Sequence, residues 1–310
     1  DNESLCLYRY ENTFFIKSQC LNNIDIGHIT LSVADGLFAF TRHELQSPSE
    51  DKDKRLIIWN FNKGNMIDSI PLAADDNIAT LRFIPKTGHL LLAKTYPASL
   101  VYYPNNRTSI SVQHSNVMNW NGIYDLQLNH RGDKLFSAAV AKEKQFEDLC
   151  WWQQQEEHIL SNTSNFPYQK QKCVRALPSQ GSYSGMLHRI LLSDDQQKIF
   201  ATSVDGQVAA WDSQLQHRLW HQSLPRDYIV LSIAQGSEFL GVGNSIGEIY
   251  LLDVDDGAIQ YYWSFQENAY IEFLSFVQDD LQESMIVGIS ERSGGLLQRL
   301  DLDSFQEFSF

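Results

Sequence analysis

Short apolar runs recur along the chain, some alternating and some continuous, separated by turns rich in Asp, Asn, Ser and Gly. The clearest unit spans 187–224. It opens on Ile190-Leu191-Leu192, passes an acidic turn at Ser193-Asp194-Asp195, and resumes over 199–204. Asp205-Gly206 then joins a run at 207–212 that ends in Trp211-Asp212, and 217–224 follows. An Asp-Gly pair between two β-prone runs is a hairpin turn, because its residues tolerate positive φ. The unit therefore predicts four antiparallel strands.

Its landmarks repeat with a period of roughly 40 to 50 residues, the range of propellers and solenoids. An aromatic or apolar residue with a polar or proline follower closes a third strand at seven places: Tyr10-Glu11, Trp59-Asn60, Tyr103-Pro104, Trp152-Gln153, Trp211-Asp212, Leu252-Asp253 and Leu300-Asp301. An independent apolar-x-apolar column marks six first strands: Leu31-Val33, Leu81-Phe83, Leu126-Leu128, Ile190-Leu192, Leu231-Ile233 and Leu274-Phe276. Arg131-Gly132-Asp133-Lys134, Asn62-Lys63-Gly64 and Asp255-Asp256-Gly257 supply turn chemistry where these columns require it. With Trp211-Asp212 at a third-strand end and Gly27-His28 ahead of a first strand, the chain resembles the WD40-repeat family, and the repeats are degenerate. The resemblance implies an all-β fold, a WD40-like β-propeller forming one domain over 1–310.

Counting strands gives six full blades and a leftover N-terminal hairpin over 1–20. The last stretch, 305–310, is expected to be the outer strand of the sixth full blade. A half blade leaves unpaired edges. Three arrangements stay open: missing strands beyond residue 310, a short seventh blade, or strands donated by a partner. The expected propeller is thus seven-bladed with an incomplete or shared seventh blade, with six blades as the alternative. Two spans, 43–54 and 153–185, read as loop insertions, and long loops are often functional. Trp151 and Trp152 stand beside the larger one, which carries the apolar pair Ile159 and Leu160; these four are the candidate partner-binding residues.

Composition narrows the function classes. Aromatics at 12% favour strands. A net charge of −14 argues against a phosphate-binding track and so against a nucleic-acid partner. No apolar run reaches the roughly 18 residues of a membrane span, and 1–10 lacks the order of a signal peptide. A cytoplasmic location is the expectation. An extracytoplasmic one would follow if the Asp1 start reflects processing, or if Cys150 and Cys173, placed on neighbouring strands, form a disulfide. Otherwise the four cysteines, Cys6, Cys20, Cys150 and Cys173, read as small buried hydrophobes.

Enzymatic signatures do not assemble. Asp253, Asp255, Asp256 and Gly257 fall one residue short of a calcium loop, with Ser264 where its Glu should stand. His217 and His221 have a zinc-pair spacing that is diagnostic only on a helix. Gly181-Ser182-Tyr183-Ser184-Gly185 puts Tyr where a hydrolase elbow needs Ser. Arg131-Gly132-Asp133 is turn composition, and the sequons at Asn2, Asn106 and Asn162 carry no compartment information. No catalytic residue, metal or cofactor is expected. The reading is a non-catalytic scaffold for protein partners, as the WD40 resemblance implies, with oligomeric state undetermined. The alternatives are an enzyme or ligand-binding propeller with a site over its channel, and an obligate subunit whose open blade a partner completes.

Overall fold

Strand pairing follows the sequence periodicity closely. The computed structural model describes residues 4–11, 14–22, 25–32, 35–43, 54–73, 76–96, 98–104, 120–141, 148–155, 166–178, 186–226, 228–265, 269–278, 283–291 and 294–308. Among the described residues every regular element is a β-strand apart from one 3-10 turn. The chain divides into two compact units, Asp1–Gln113 and His114–Phe310.

The first unit opens with a hairpin, β1 (Ser4–Glu11) and β2 (Phe14–Asn22), in which Cys6 lies opposite Cys20. A four-stranded antiparallel sheet follows: β3 (Asp25–Ser32), β4 (Leu37–His43), β5 (Lys54–Asn60) and β6 (Asn65–Pro71). The next sheet comprises β7 (Asn77–Phe83), β8 (Leu90–Tyr96) and β9 (Ser99–Tyr103). Strand β4 is apolar on both faces because it lies between two cores. Ala39 packs with Leu56, Leu81 and Leu92, while Phe38 and Phe40 turn the opposite way onto Ile57.

The second unit repeats this plan four times. Its sheets are β10 (Trp120–Leu128), β11 (Lys134–Ala141), β12 (Leu149–Gln154) and β13 (Tyr168–Val174), then β14 (Leu187–Leu192), β15 (Lys198–Ser203), β16 (Gln207–Asp212) and β17 (Arg218–Ser223). Then come β18 (Val230–Gln235), β19 (Phe239–Asn244), β20 (Glu248–Asp253) and β21 (Ile259–Ser264). The last sheet has three strands, β22 (Tyr270–Gln278), β23 (Glu283–Glu291) and β24 (Gly294–Asp301). Small antiparallel sheets whose strands pair in sequence order are the blades of a β-propeller. All six apolar-x-apolar pairs begin on the first strand of a sheet, and six of the seven third-strand landmarks begin on a sheet's third strand; Tyr10-Glu11 instead ends β1 of the two-stranded hairpin.

Alternation splits each middle strand between neighbouring cores. Ala209 of β16 faces the cluster of Leu149, Leu187 and Ile190, while Val208 and Ala210 face that of Phe200, Leu240 and Tyr250. On β20, Tyr250 and Leu252 join this second cluster, whereas Ile249 and Leu251 pack with Ile271, Met285 and Val287. Turn residues then set the register. At the predicted Asp205-Gly206 turn Gly206 has φ +73°, and a Cβ there would lie 2.6 Å from the Arg226 carbonyl. At Trp211-Asp212 the indole donates to the carbonyl of Ala176, in the segment that follows β13, at 3.1 Å. Partial burial raises the Asp212 pKa, but the N–H groups of Gln216, His217 and Gln214 outweigh it and hold the carboxyl below its ordinary range.

Three expectations change. The span 153–185 is not wholly an insertion: β13 lies within it and is that sheet's fourth strand. Its polar sequence, Tyr168-Gln169-Lys170-Gln171-Lys172, hides it, because an outer strand needs few apolar side chains. Cys150 and Cys173 are not isolated hydrophobes but form a disulfide between directly opposed positions of β12 and β13. The C-terminal strand β25 (Gln306–Glu307) pairs with β21 rather than with β24, so it does not complete the last sheet. A 3-10 turn over Leu302–Ser304 redirects the chain, and Phe305 then packs on Trp263 with ring centroids 5.6 Å apart. The loop expected over 43–54 lies, between its two ends, outside the described residues.

Beside the disulfide, Asp148 is 5% exposed and accepts the Ala176 N–H at 2.8 Å. Burial pushes its carboxyl from 3.8 up to about 7, against the opposing pull of that bond and of Arg175. Folded protein therefore keeps a proton that unfolded chain has already lost between 3.8 and about 7. Stability contributed by this group falls as pH rises through that window. Asp148→Asn, which retains an acceptor for Ala176 but does not titrate, is expected to flatten the decline in denaturation midpoint between about pH 4 and 7.

Candidate functional site

The residues singled out from sequence are not gathered into one exposed patch. Trp152 is 1% exposed; its indole donates to Ser137 Oγ at 2.9 Å and its ring meets Phe166. Trp151 faces the other way, half-buried on the cluster of Phe136, Leu149 and Leu177, with Lys134 Nζ 4.6 Å from its ring centroid. Burial lowers the Lys134 ammonium pKa, and the same Nζ donates to the Ser213 carbonyl at 2.5 Å. Ile159 and Leu160 lie outside the described residues, as does Gly181-Ser182-Tyr183-Ser184-Gly185.

The motifs read as turns behave as turns. Asp253 accepts the N–H groups of Asp255 and Asp256 at 2.8 and 3.2 Å, and Asp256 accepts that of Ala258. Gly132 sits at φ +75° and its carbonyl receives the Tyr168 hydroxyl. His221 Nε2 bonds Gln207 Oε1 at 3.0 Å, while the His217 N–H donates to Asp212. Among the described residues no group of three or more His, Cys, Asp or Glu could hold a metal ion. No helix among them is long and apolar enough to cross a membrane.

The sequence did not single out the edge of β24. In the other sheets of the second unit the third strand is covered: β12, β16 and β20 are largely buried, each with a fourth strand on its outer side. Strand β24 pairs with β23 from Glu291↔Gly294 to Ser284↔Asp301, and among the described residues no strand takes its other edge. Leu296 is 53% exposed and Leu297 45%. Adjacent strand residues point to opposite faces, so each face of this end carries an exposed leucine.

The segment leaving β24 walls a cavity of about 690 Å³. Phe239, Tyr261 and Phe305 give it aromatic walls, with Phe239 and Tyr261 edge to face at 5.5 Å. Four carboxylates line it: Glu238, Glu283, Asp303 and Glu307. Glu283 is held from the neighbouring turn, where Ser237 donates its N–H at 2.9 Å and its hydroxyl at 3.1 Å. Glu238 and Glu307 are exposed. An open main-chain edge thus runs into an acidic, aromatic-walled pocket.

No family model matches the chain, and no curated protein does. Solved structures match in number, 1412 chains in all. One is Sqt1 from Chaetomium thermophilum, bound to the N-terminus of the ribosomal protein L10. It is 13% identical, with a TM-score of 0.62 over 92% of this chain and 73% of Sqt1. Another is the computationally designed protein Ika8, 14% identical, with a TM-score of 0.56 over 89% of this chain and 71% of Ika8. Sqt1 is a WD40 protein. The likeness is one of fold.

The β25 anchor is testable apart from function. Phe305 is 7% exposed in a cluster with Leu251, Ile271 and Leu300, so Phe305→Ala is expected to cost about 3 kcal/mol in chemical denaturation. Amide exchange at 306–308 should quicken in the same variant.

Proposed function

We propose that this chain is a non-catalytic scaffold of the WD40-propeller type, a single propeller over 1–310 that organises protein partners. The observation that carries the reading is the open edge of β24 with Leu296 and Leu297 exposed beside it. A strand edge offers a row of main-chain donors and acceptors, and native proteins ordinarily shield such edges. An edge left open, with apolar side chains on both faces, suits strand addition by a partner. The solved complex of Sqt1 with a terminal segment of a ribosomal protein supports the general mode, a propeller-type protein engaging a protein segment. It does not supply the partner here.

The Cys150–Cys173 disulfide favours an oxidising compartment over the cytoplasm. Cys150 is 0% exposed and Cys173 partly buried.

Affinity purification from source cells, comparing the wild-type chain with Leu296→Lys/Leu297→Lys, tests the scaffold reading. Both leucines are exposed, so the variant should retain the wild-type melting temperature. The wild type is expected to recover a specific protein that the variant loses by about tenfold. Turnover of a small molecule by the purified chain, with no specific protein recovered, would contradict the reading.

A further inference from the structure

We infer that β24 accepts an extended segment whose leading residues are basic and whose following residues are β-prone and apolar. This rests on the scaffold reading above and names the chemistry of its partner. The four fourth strands of the described sheets, β6, β13, β17 and β21, have 7, 7, 6 and 6 residues, so an incoming strand of similar length fits the open place. All of them run antiparallel to the third strand. An incoming strand that follows this rule starts opposite Asp301 and finishes opposite Leu296 and Leu297.

Direction then assigns the chemistry. At the Asp301 end the incoming chain meets the segment that walls the acidic cavity, where Glu238, Glu283 and Glu307 lie beside the aromatic pair Phe239 and Tyr261. Lysine or arginine suits that place twice over. The carboxylates attract the charge, and aromatic faces accept a cation and its apolar stem. At the Leu296 end the exposed leucines ask for apolar partners on each face. The net charge of −14 favours encounter with a basic segment over an acidic one. Main-chain pairing would supply affinity, and the basic head would set direction and register.

Hydrogen exchange on the intact chain tests this with a synthetic nonapeptide, Lys-Arg-Lys followed by Val-Thr-Val-Tyr-Val-Thr. Amides of 294–301 that face away from β23 are expected to exchange quickly in the free protein and to slow when peptide is added. A peptide headed Glu-Glu-Glu should bind about tenfold more weakly, and the gap between the two should shrink with salt. Glu238→Gln/Glu307→Gln, at two exposed sites, should weaken the basic peptide about fivefold and leave one headed Ser-Ser-Ser unchanged.

Protection of 294–301 in the free protein would overturn the proposal. If that protection is independent of concentration, the chain covers its own edge; if it grows with concentration, a second copy does. Equal protection by all three heads would overturn the basic class and leave strand addition standing. Failure of every peptide would overturn the proposal, and recovery of a protein in the affinity purification would then still support the scaffold reading.

Discussion

Main-chain pairing is the constraint on which the rest of this structure depends. A strand must satisfy its N–H and C=O groups on both edges or leave them to water. Each sheet meets that demand locally, by hairpins that follow one another in sequence, so a blade is complete once its fourth strand is laid down. The last sheet is the exception among the described blades of the second unit. Its fourth place is vacated because the chain after Asp301 turns and pairs with β21 instead. Phe305 and Phe308 explain the choice. One packs on Trp263 and the other on Tyr250, so the tail buries two aromatic rings against the preceding sheet.

Packing between sheets obeys the same alternation that pairing does. Strand β20 gives Tyr250 and Leu252 to one core and Ile249 and Leu251 to the next, so neighbouring blades share the strand's two faces. Close approach is enforced where glycine replaces a side chain. A Cβ on Gly243 would come within 2.3 Å of the Ile271 side chain, and one on Gly241 within 2.7 Å of Met285. One buried carboxylate is matched within this packing. Buried Glu248 accepts from Asn244 and Tyr250 and pairs with Arg226 at 3.2 Å.

First and third strands were legible in the sequence because Leu, Ile, Phe and Trp recur in them at fixed places. Outer strands were less so: 217–224 was read as one, but one side meets solvent and the composition of others approaches that of a loop. Strand β13 shows this most clearly, carrying Gln169, Lys170, Gln171 and Lys172 in a row. The disulfide stood among the open alternatives because it requires both that β13 exist and that Cys173 oppose Cys150. Trp151 and Trp152 drew attention as paired aromatics, but their surroundings come from distant residues, Ser137, Phe166 and Lys134. The open edge was hinted at by a strand count that did not close. Its position depended on where 306–307 pairs, a choice between two neighbouring sheets that local pattern does not encode.

That choice is also the most direct point of attack. Tyr262 lies opposite Gln306 across β21 and β25, so Tyr262→Cys/Gln306→Cys places two thiols on facing residues. Under mild oxidation this pair is expected to cross-link in the folded protein, whereas Leu300→Cys/Gln306→Cys, the two positions that would face each other if the tail folded back on β24 through the 302–304 turn, is not. Cross-linking of the second pair and not the first would put the tail on β24, close the last sheet, and contradict the account.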